Sequence, residues 1–256
     1  MVTYESFQVG GEQSEKSEKS EEGKSKNKLS EHNTNCTSFD ILLKTNIRKL
    51  IQTNLISLLS HSNWKVRINA LHFCYNFHYY YCIYFYAGIE NQFFLNIFIS
   101  LLVDKYIEIH NSARNILSSV FCYYDSQVLQ TISNFFLILV NEKKSVTKGE
   151  TTKEINTSSD VNAKIIERKK NIAIFTLISI INSFPNYIPN WLPNVLINVA
   201  KMTNNTVHSI KKEIEECLQN FLRTHKDEWE FKYKLAFTEE QLNIMDMYKG
   251  GLNYFT

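Results

Sequence analysis

Trp64-Lys65-Val66-Arg67-Ile68-Asn69-Ala70 is the stretch that decides the fold, because it starts a helical pattern after the polar turn His61-Ser62-Asn63. It places an aliphatic residue, Val66, four positions before a small one, Ala70. Residues four apart share one face of a helix. The same aliphatic and small pair returns 43 residues later as Ile109 and Ala113. We therefore predict a structural unit that repeats.

Helical periodicity extends on both sides of this stretch. A period near 43 residues is typical of helical repeats of the HEAT or armadillo kind, and the start of the stretch is similar to the second helix of a HEAT repeat. We predict an all-α chain, an α-solenoid of HEAT- or armadillo-like antiparallel helix pairs; an unrelated helical bundle is the alternative. The predicted helices cover 39–60, 64 onward, 93–103, 106–123, 127–140, 165–184, 191–203 and 205–223. The first of them carries a broad apolar stripe, which we predict to face inward: Phe39, Ile41, Leu42, Leu43, Ile47, Leu50, Ile51, Leu55, Leu58 and Leu59.

Two polar stretches interrupt the pattern. Residues 1–38 and 141–164 are rich in Ser, Glu, Lys, Thr and Asn, and such segments bury too little apolar surface to offset the entropy of ordering. We predict that 1–38 is disordered and that 141–164 is a disordered insert. The helical repeats then occupy 39–140 and 165–249.

The end of the chain carries clear boundary signals. All three prolines fall between 185 and 193, so one helix ends near Phe184 and another begins near Pro193. The helix over 205–223 is predicted to turn inward Val207, Ile210, Ile214, Cys217, Leu218 and Phe221. Thr238-Glu-Glu-Gln241 is a capping box for a short last helix, and Gly250-Gly251 ends it.

Composition excludes several classes of protein. The chain has 256 residues, 44% of them hydrophobic, with 28 basic and 26 acidic side chains and a formal net charge of +2. So small a charge does not predict a nucleic-acid partner. The sequence begins without a signal peptide, and its cysteines show no disulfide spacing, which predicts an intracellular location. The cysteines are Cys36, Cys74, Cys82, Cys122 and Cys217.

His72, Cys74, His78 and Cys82 resemble a metal-binding cluster in the sequence. Positions 74 and 82 are about 12 Å apart along a helix axis, too far for one ion to bind both outer ligands. We predict no metal site and no cofactor. The seven glycines form neither a phosphate loop nor a dinucleotide fingerprint, and no hydrolase motif occurs. We therefore predict that the protein is not an enzyme.

A membrane protein is an alternative, since residues 68–89 hold no charged side chain and are long enough to span a bilayer. Four polar residues within the run and the lack of a second long segment argue against it. Burial inside a stack of helix pairs explains the same composition. We predict no membrane contact.

The last residues, 250–256, follow the final helix and carry two adjacent aromatics, Tyr254 and Phe255, before the carboxylate of Thr256. Chain ends are usually polar unless something holds them. An aromatic pair beside a free carboxylate suits capture of a C-terminus in a partner's pocket. Alternatively, Leu252, Tyr254 and Phe255 fold back onto the body.

The C-terminal third resembles a known family. Asn220-Phe-Leu-Arg-Thr-His-Lys-Asp-Glu-Trp229, Phe237-Thr-Glu-Glu-Gln-Leu242 and the aromatic end resemble the C-terminus of the large HEAT-repeat proteasome activators, proteasome activator complex subunit 4. Tyr187-Ile-Pro-Asn-Trp-Leu-Pro193 fits the same family. The resemblance covers 165–256 and, more loosely, 39–140. Family members are many times longer, so we expect the chain to be their C-terminal portion.

The resemblance implies an ATP-independent cap on the end of the 20S core proteasome, whose tail inserts between outer-ring subunits and influences the gate. By the family's tail pattern, Tyr254 is the hydrophobic position, Phe255 stands where tyrosine is expected, and Thr256 supplies the carboxylate. The missing hydroxyl at Phe255 favours docking over gate opening. The resemblance further implies nuclear and cytoplasmic location and acetylated histones as partners. A helical-repeat adaptor without a proteasome link is the alternative.

Overall fold

The computed structural model describes residues 49–84, 89–141 and 156–249, and every regular element within these ranges is helical. The predicted disordered segment 1–38 and most of the predicted insert lie outside the described residues, as does the tail after Lys249. The described α-helices are α1 (49–59), α2 (Trp64–Tyr84), α3 (Ile89–Leu101), α4 (Ile107–Phe121), α5 (Ser126–Asn141), α6 (Asn156–Asn182), α7 (Leu192–Met202), α8 (His208–Thr224) and α9 (Glu239–Lys249).

The helices form two layers. Helices α2, α4, α6 and α8 pack side by side in one layer, while α5, α7 and α9 follow one another in the other. Each of α4, α6 and α8 also packs on the helix that precedes it in the chain. Short connections such as 102–106 reverse the chain between partners, as in antiparallel helix pairs. This arrangement is that of an α-solenoid, and it confirms the predicted fold class.

Helix α6 lies at the centre of the stack. It packs on α3, α4, α5, α7 and α8, and every side chain from Ile172 to Ile181 is buried. A helix that is surrounded in this way has no solvent face to occupy with charges. Its two buried hydroxyls, Thr176 and Ser179, donate hydrogen bonds to the carbonyls four residues earlier, at 2.8 and 2.9 Å. No polar group of this segment is left unsatisfied as a result.

The quoted repeat residues occupy the predicted positions. Ala70, Ile109 and Ala113 are buried between helices, and Val66 is half-buried. Arg67, only 6% exposed, reaches from α2 to the turn before α4. Its Nε and Nη2 donate to the Asp104 carboxylate at 3.0 and 2.8 Å. A planar guanidinium suits such a two-bond contact.

The same guanidinium also closes its own turn. Nη1 of Arg67 donates to the carbonyls of His61 and Ser62, at 2.8 and 3.1 Å, and the group lies over the ring of Tyr106 at 5.3 Å. Asp104 Oδ1 accepts a second bond, from the backbone N–H of Tyr106 at 2.9 Å. One buried ion pair therefore joins the turns of two successive helix pairs.

A second polar contact connects α4 with α8. Both ring nitrogens of His110 face acceptors: Nδ1 contacts the carbonyl of Leu102, and Nε2 lies 3.1 Å from Glu213 Oε2. Arg114 Nη1 donates to the same carboxylate oxygen at 2.7 Å. Burial by itself raises the pKa of Glu213, but the hydrogen bonds and charges of His110 and Arg114 outweigh it and lower the pKa below its usual value.

One helix boundary differs clearly from the prediction. Helix α6 begins at Asn156 and not at Ile165, so residues 156–164 are helical where the sequence predicted part of a disordered insert. Residues 161–169 are exposed, and apolar periodicity cannot detect a helix segment that buries nothing. Once the buried half of α6 is formed, each further residue adds one hydrogen bond without a new nucleation cost. The helix therefore extends beyond its apolar face.

Three predicted inward side chains are exposed instead. Val207, predicted to face inward, is the N-cap residue of α8 and lies in extended backbone at the surface. The other five inward residues predicted for this helix are buried. On α1, Leu50 and Leu58 from the predicted apolar stripe are exposed, while Leu55 is buried. The apolar stripe of α1 is therefore only partly covered.

Candidate functional site

The predicted tail residues Tyr254, Phe255 and Thr256 lie outside the described residues, together with Gly250-Gly251. What the structure describes is the part of the protein from which that tail departs. We call residues 225–249 the C-terminal platform. It comprises a turn after α8, an irregular helical segment and α9. Its contacts with the solenoid decide how firmly the start of the tail is held.

Helix α9 begins with the predicted capping box. The backbone N–H of Gln241 donates to Thr238 Oγ1 at 3.3 Å, and the backbone N–H of Thr238 donates to Gln241 Oε1 at 3.0 Å. This reciprocal pair satisfies two donors that the helix start would otherwise leave unpaired. Glu239 and Glu240 occupy the first turn, where negative charge is favourable. The position of this helix in the chain is therefore fixed by four consecutive residues.

Packing then fixes α9 on the last helix pair. The helix contacts both α7 and α8, with Met245 fully buried and Leu242 half-buried. Near its end, the Tyr248 hydroxyl donates to the carbonyl of Ala200 and lies equally close, at 3.4 Å, to Thr203 Oγ1. The residue immediately before the last one of α9 is thereby tied to the end of α7.

The segment between α8 and α9 is anchored by aromatic side chains. Trp229–Tyr233 is a π-helical turn, followed by a 3₁₀ turn at Lys234–Ala236. Trp229, Tyr233 and Phe237, spaced four residues apart, are all buried. The Tyr233 hydroxyl donates to the carbonyl of Asn186 at 2.8 Å. Single π-turns inside helical segments are rare and occur frequently at functional sites.

His225 supports this segment from the end of α8. It is buried, and its Nδ1 donates to the carbonyl of Phe221 at 2.8 Å. The Tyr233 ring meets the imidazole edge-on with the ring centroids 4.8 Å apart. Burial lowers the pKa of His225, although hydrogen bonds to the backbone carbonyls of Phe221 and Phe184 oppose the effect.

Lys249 joins the end of α9 to the irregular segment. Its Nζ lies 5.5 Å from the ring centroid of Trp229 and forms an ion pair with Asp246 at 2.7 Å. A cation in the last turn also suits the negative end of the helix dipole. The point where the tail departs is therefore next to the buried tryptophan of the segment.

Sequence reasoning missed the outer face of the same segment. Phe231 is 86% exposed and Leu235 is 81% exposed. They lie four residues apart, and each follows a residue of the buried set Trp229, Tyr233 and Phe237 by two positions. The signal was present in the sequence as two apolar series interleaved at a spacing of four. Only the structure reveals which series is inside.

A groove of about 370 Å³ lies on the layer that contains α4, α6 and α8. Its walls combine neutral polar side chains with the rings of Phe184, Phe221 and His225, and no Asp, Glu, Lys or Arg side chain is among the lining residues. The lining includes Asn115, Ser118, Ser119, Asn182, Phe184 and Asn220. Such a surface suits an uncharged ligand that both donates and accepts hydrogen bonds.

Two members of the cysteine and histidine series on α2, Cys74 and His78, are part of the packing, while the side chain of Cys82 lies outside the described residues. Cys74 is fully buried, and burial raises its pKa to about 12. His78 is buried against Phe94 and Phe98, and burial lowers its pKa. His72 contacts Ser112 at 2.8 Å through Nε2. Within the described residues, no three His, Cys, Asp or Glu side chains are grouped closely enough to hold a metal ion.

Helix α2 covers most of the uncharged run from residue 68. Of the helices that the structure describes, none combines the length and hydrophobicity needed to cross a bilayer. Leu71, Cys74 and His78 of this helix face the protein interior.

Comparison with known families gives a match to the C-terminal third of the chain. Residues 167–256 match the family model described as proteasome activator complex subunit 4-like, C-terminal. The matched range includes most of α6, then α7, α8, the C-terminal platform and the tail. It confirms the resemblance predicted for the C-terminal third and supports a proteasome activator role. A search of curated proteins gave no match.

Proposed function

We propose that this protein acts as the C-terminal part of an ATP-independent proteasome activator and binds the end of the 20S core proteasome. The observation that carries the proposal is the match of residues 167–256 to the activator family, since it includes both the platform and the tail. An activator regulates the protease that it binds, so the protein itself needs no catalytic residues. We further propose a nuclear and cytoplasmic location, where proteasomes are found.

In this proposal the tail inserts between outer-ring subunits. Tyr254 is the hydrophobic contact, Phe255 occupies the position where the family has tyrosine, and the Thr256 carboxylate forms a charge-assisted bond with a cation in the pocket. The anchoring of α9 by Met245 and Tyr248 supports this arrangement. A firmly held starting point lowers the entropy lost when a short tail binds.

Variants of the tail test the proposal. Synthetic peptides of residues 248–256 are added to core proteasome, and hydrolysis of a fluorogenic peptide is measured. One extra residue after Thr256 should abolish the effect, because the carboxylate no longer reaches its partner. Phe255→Ala should cost about 2 kcal/mol of binding or more through lost burial. Phe255→Tyr should tighten binding about 2- to 12-fold, the equivalent of one hydrogen bond of about 0.5–1.5 kcal/mol.

The same variants are compared in the full chain, because a weak tail peptide lacks the contacts of the platform. Co-sedimentation with the 20S core proteasome gives the affinity. Loss of binding on extension by one residue supports insertion of the tail. If the extended chain binds as tightly as the unmodified one, the carboxylate plays no part. If the unmodified chain does not co-sediment at all, the adaptor alternative is the better reading.

We propose a second partner, acetylated histone tails, bound in the neutral groove. Acetylation removes the charge of lysine and leaves an amide that needs one donor and one acceptor. Asn115, Asn182 and Asn220 offer both kinds of atom, and the exposed Pro185 offers an apolar surface for the aliphatic stem. The absence of charged side chains among the lining residues of this groove favours an acetylated over an unmodified lysine.

Binding of matched histone peptides tests this second partner. Fluorescence anisotropy compares acetylated and unmodified peptides on the full chain and on its Asn182→Ala variant. We expect tighter binding of the acetylated peptide and loss of that preference in the variant. Asn198→Ala, on α7 and outside the groove, is the control. Equal affinity for both peptides contradicts the assignment.

A further inference from the structure

We propose that Phe231 and Leu235 form a second contact with the outer ring of the core proteasome, beside the pocket that receives the tail. We call these two residues the apolar pair. This inference rests on the proposed function, because it takes the partner of the tail as its occupant. Nothing in the tail pattern itself refers to this pair.

The apolar pair has the composition of an interface centre. Both side chains are more than four-fifths exposed, which is more than any other large apolar side chain of the described residues. Charged side chains surround them: Lys232 pairs with Glu228 at 2.7 Å, and Lys234 pairs with Glu230 at 3.0 Å. An apolar centre with a polar rim is the common anatomy of protein interfaces.

The backbone that carries the apolar pair is fixed by the buried side chains of the same segment. Trp229 packs on Phe237 with the ring centroids 5.4 Å apart, and Tyr233 is fixed by its hydrogen bond to Asn186. Phe231 and Leu235 themselves contribute little to the core. A partner that binds them therefore meets a preformed surface and does not have to order it.

The tail indicates which partner covers the pair. Lys249, the last residue of α9, contacts Trp229, two residues from Phe231. Seven residues follow Lys249, the last of them Thr256, and an extended chain of that length spans about 25 Å at most. The pocket that accepts Thr256 must therefore open within that distance of α9. Because Lys249 lies against Trp229, the surface around such a pocket lies within about the same distance of the irregular segment.

Two contacts on one rigid body reinforce each other. Once the tail is bound, the apolar pair is held at a high effective concentration next to the ring surface. Full burial of one large apolar side chain corresponds to at least about a tenfold gain in affinity. Since a flat ring surface buries each side chain only in part, we expect loss of both side chains to weaken binding of the full chain by about 10- to 100-fold.

The test measures binding of the full chain to the 20S core proteasome by co-sedimentation. The variant is Phe231→Ala/Leu235→Ala, and the matched control is Ile107→Ala/Ile138→Ala, which removes two exposed apolar side chains outside the platform. Thermal unfolding by circular dichroism verifies that both variants fold. The chain extended by one residue after Thr256 is measured in parallel.

A tenfold or greater loss for the platform variant, with the control unchanged, supports the second contact. A 248–256 peptide should displace the platform variant at a lower concentration than it displaces the control, because the platform variant is held by the tail contact without the second one. If the platform variant binds like the unmodified chain while the extended chain does not, the apolar pair is not a contact and the proposed function stands. If binding of the control variant weakens equally, exposed apolar side chains bind the proteasome nonspecifically, and the inference is overturned. If the unmodified chain does not bind, the proposed function fails first.

Discussion

Arg67 joins the turns of two successive helix pairs through a single guanidinium group. It neutralises Asp104, closes the turn at His61 and Ser62, and lies over Tyr106. Taken individually, these contacts are ordinary. Their combination sets the spacing between repeats, because the position of Asp104 is fixed in turn by the N–H of Tyr106.

Removing one partner of this pair should cost more than removing both charges. Arg67→Met leaves a buried, unpaired carboxylate, which typically costs about 3–5 kcal/mol. Arg67→Met/Asp104→Asn keeps an acceptor for the Tyr106 N–H without the buried charge. We expect the double variant to be more stable than Arg67→Met in urea unfolding. If the changes in unfolding free energy of Arg67→Met and Asp104→Asn, measured separately, add up to that of the double variant, the two side chains are not coupled.

The buried His225 predicts that the stability of the folded protein depends on pH. Its pKa lies below the usual value when folded, so the unfolded chain binds more protons between that lowered pKa and about 6.5. Stability therefore falls as the pH decreases through this range. His225→Gln should reduce the difference in melting temperature between pH 7.5 and pH 5.5. Part of the difference remains, because His78 is shifted in the same direction.

The exposed His208 provides the matched control for that measurement. His208→Gln should leave the pH dependence of the melting temperature unchanged. A wild-type melting temperature that is equal at both pH values contradicts the assignment of a buried neutral imidazole.

At the scale of elements, the capped start of α9 was easier to predict than the surfaces between helices. The capping box at Thr238 depends on four neighbouring residues, so the sequence specifies it locally, and the structure contains both bonds. The start of α6 was wrong because an exposed helical extension leaves no apolar pattern. The inward or outward choice between the Trp229 and Phe231 series depends on contacts with Asn186 and Lys249, which are distant in sequence.

The capping box also gives a quantitative expectation. Thr238→Ala removes the side-chain acceptor of the Gln241 N–H and should destabilise the protein by about 1 kcal/mol. Thr238→Ser keeps the hydroxyl and should cost much less. Because α9 loses its cap, the alanine variant should also speed amide exchange within 239–249. Exchange in α6 should stay unchanged. Hydrogen exchange with mass spectrometry measures both regions in one experiment.

For the whole molecule, the two ends of the described stack differ. At the C-terminal end, the platform covers the last helix pair, and Phe237 and Met245 are buried. At the other end, α1 exposes Leu50, Ile56 and Leu58. A stack of repeats buries the apolar face of each pair against the next one. The first pair is therefore where an additional helix pair, or a second copy of this chain, finds apolar surface to cover.

We predict that the full chain self-associates at micromolar concentration through α1. Leu50→Glu/Leu58→Glu should shift the chain toward monomer, because the charges oppose burial of this face. The melting temperature should change by only a few degrees, since both side chains are already exposed. Phe231→Ala/Leu235→Ala at the opposite end is the control, and its mass should match that of the unmodified chain. Sedimentation equilibrium measures the masses. A monomeric wild-type chain, or one that associates equally after the α1 substitutions, shows that α1 does not mediate association.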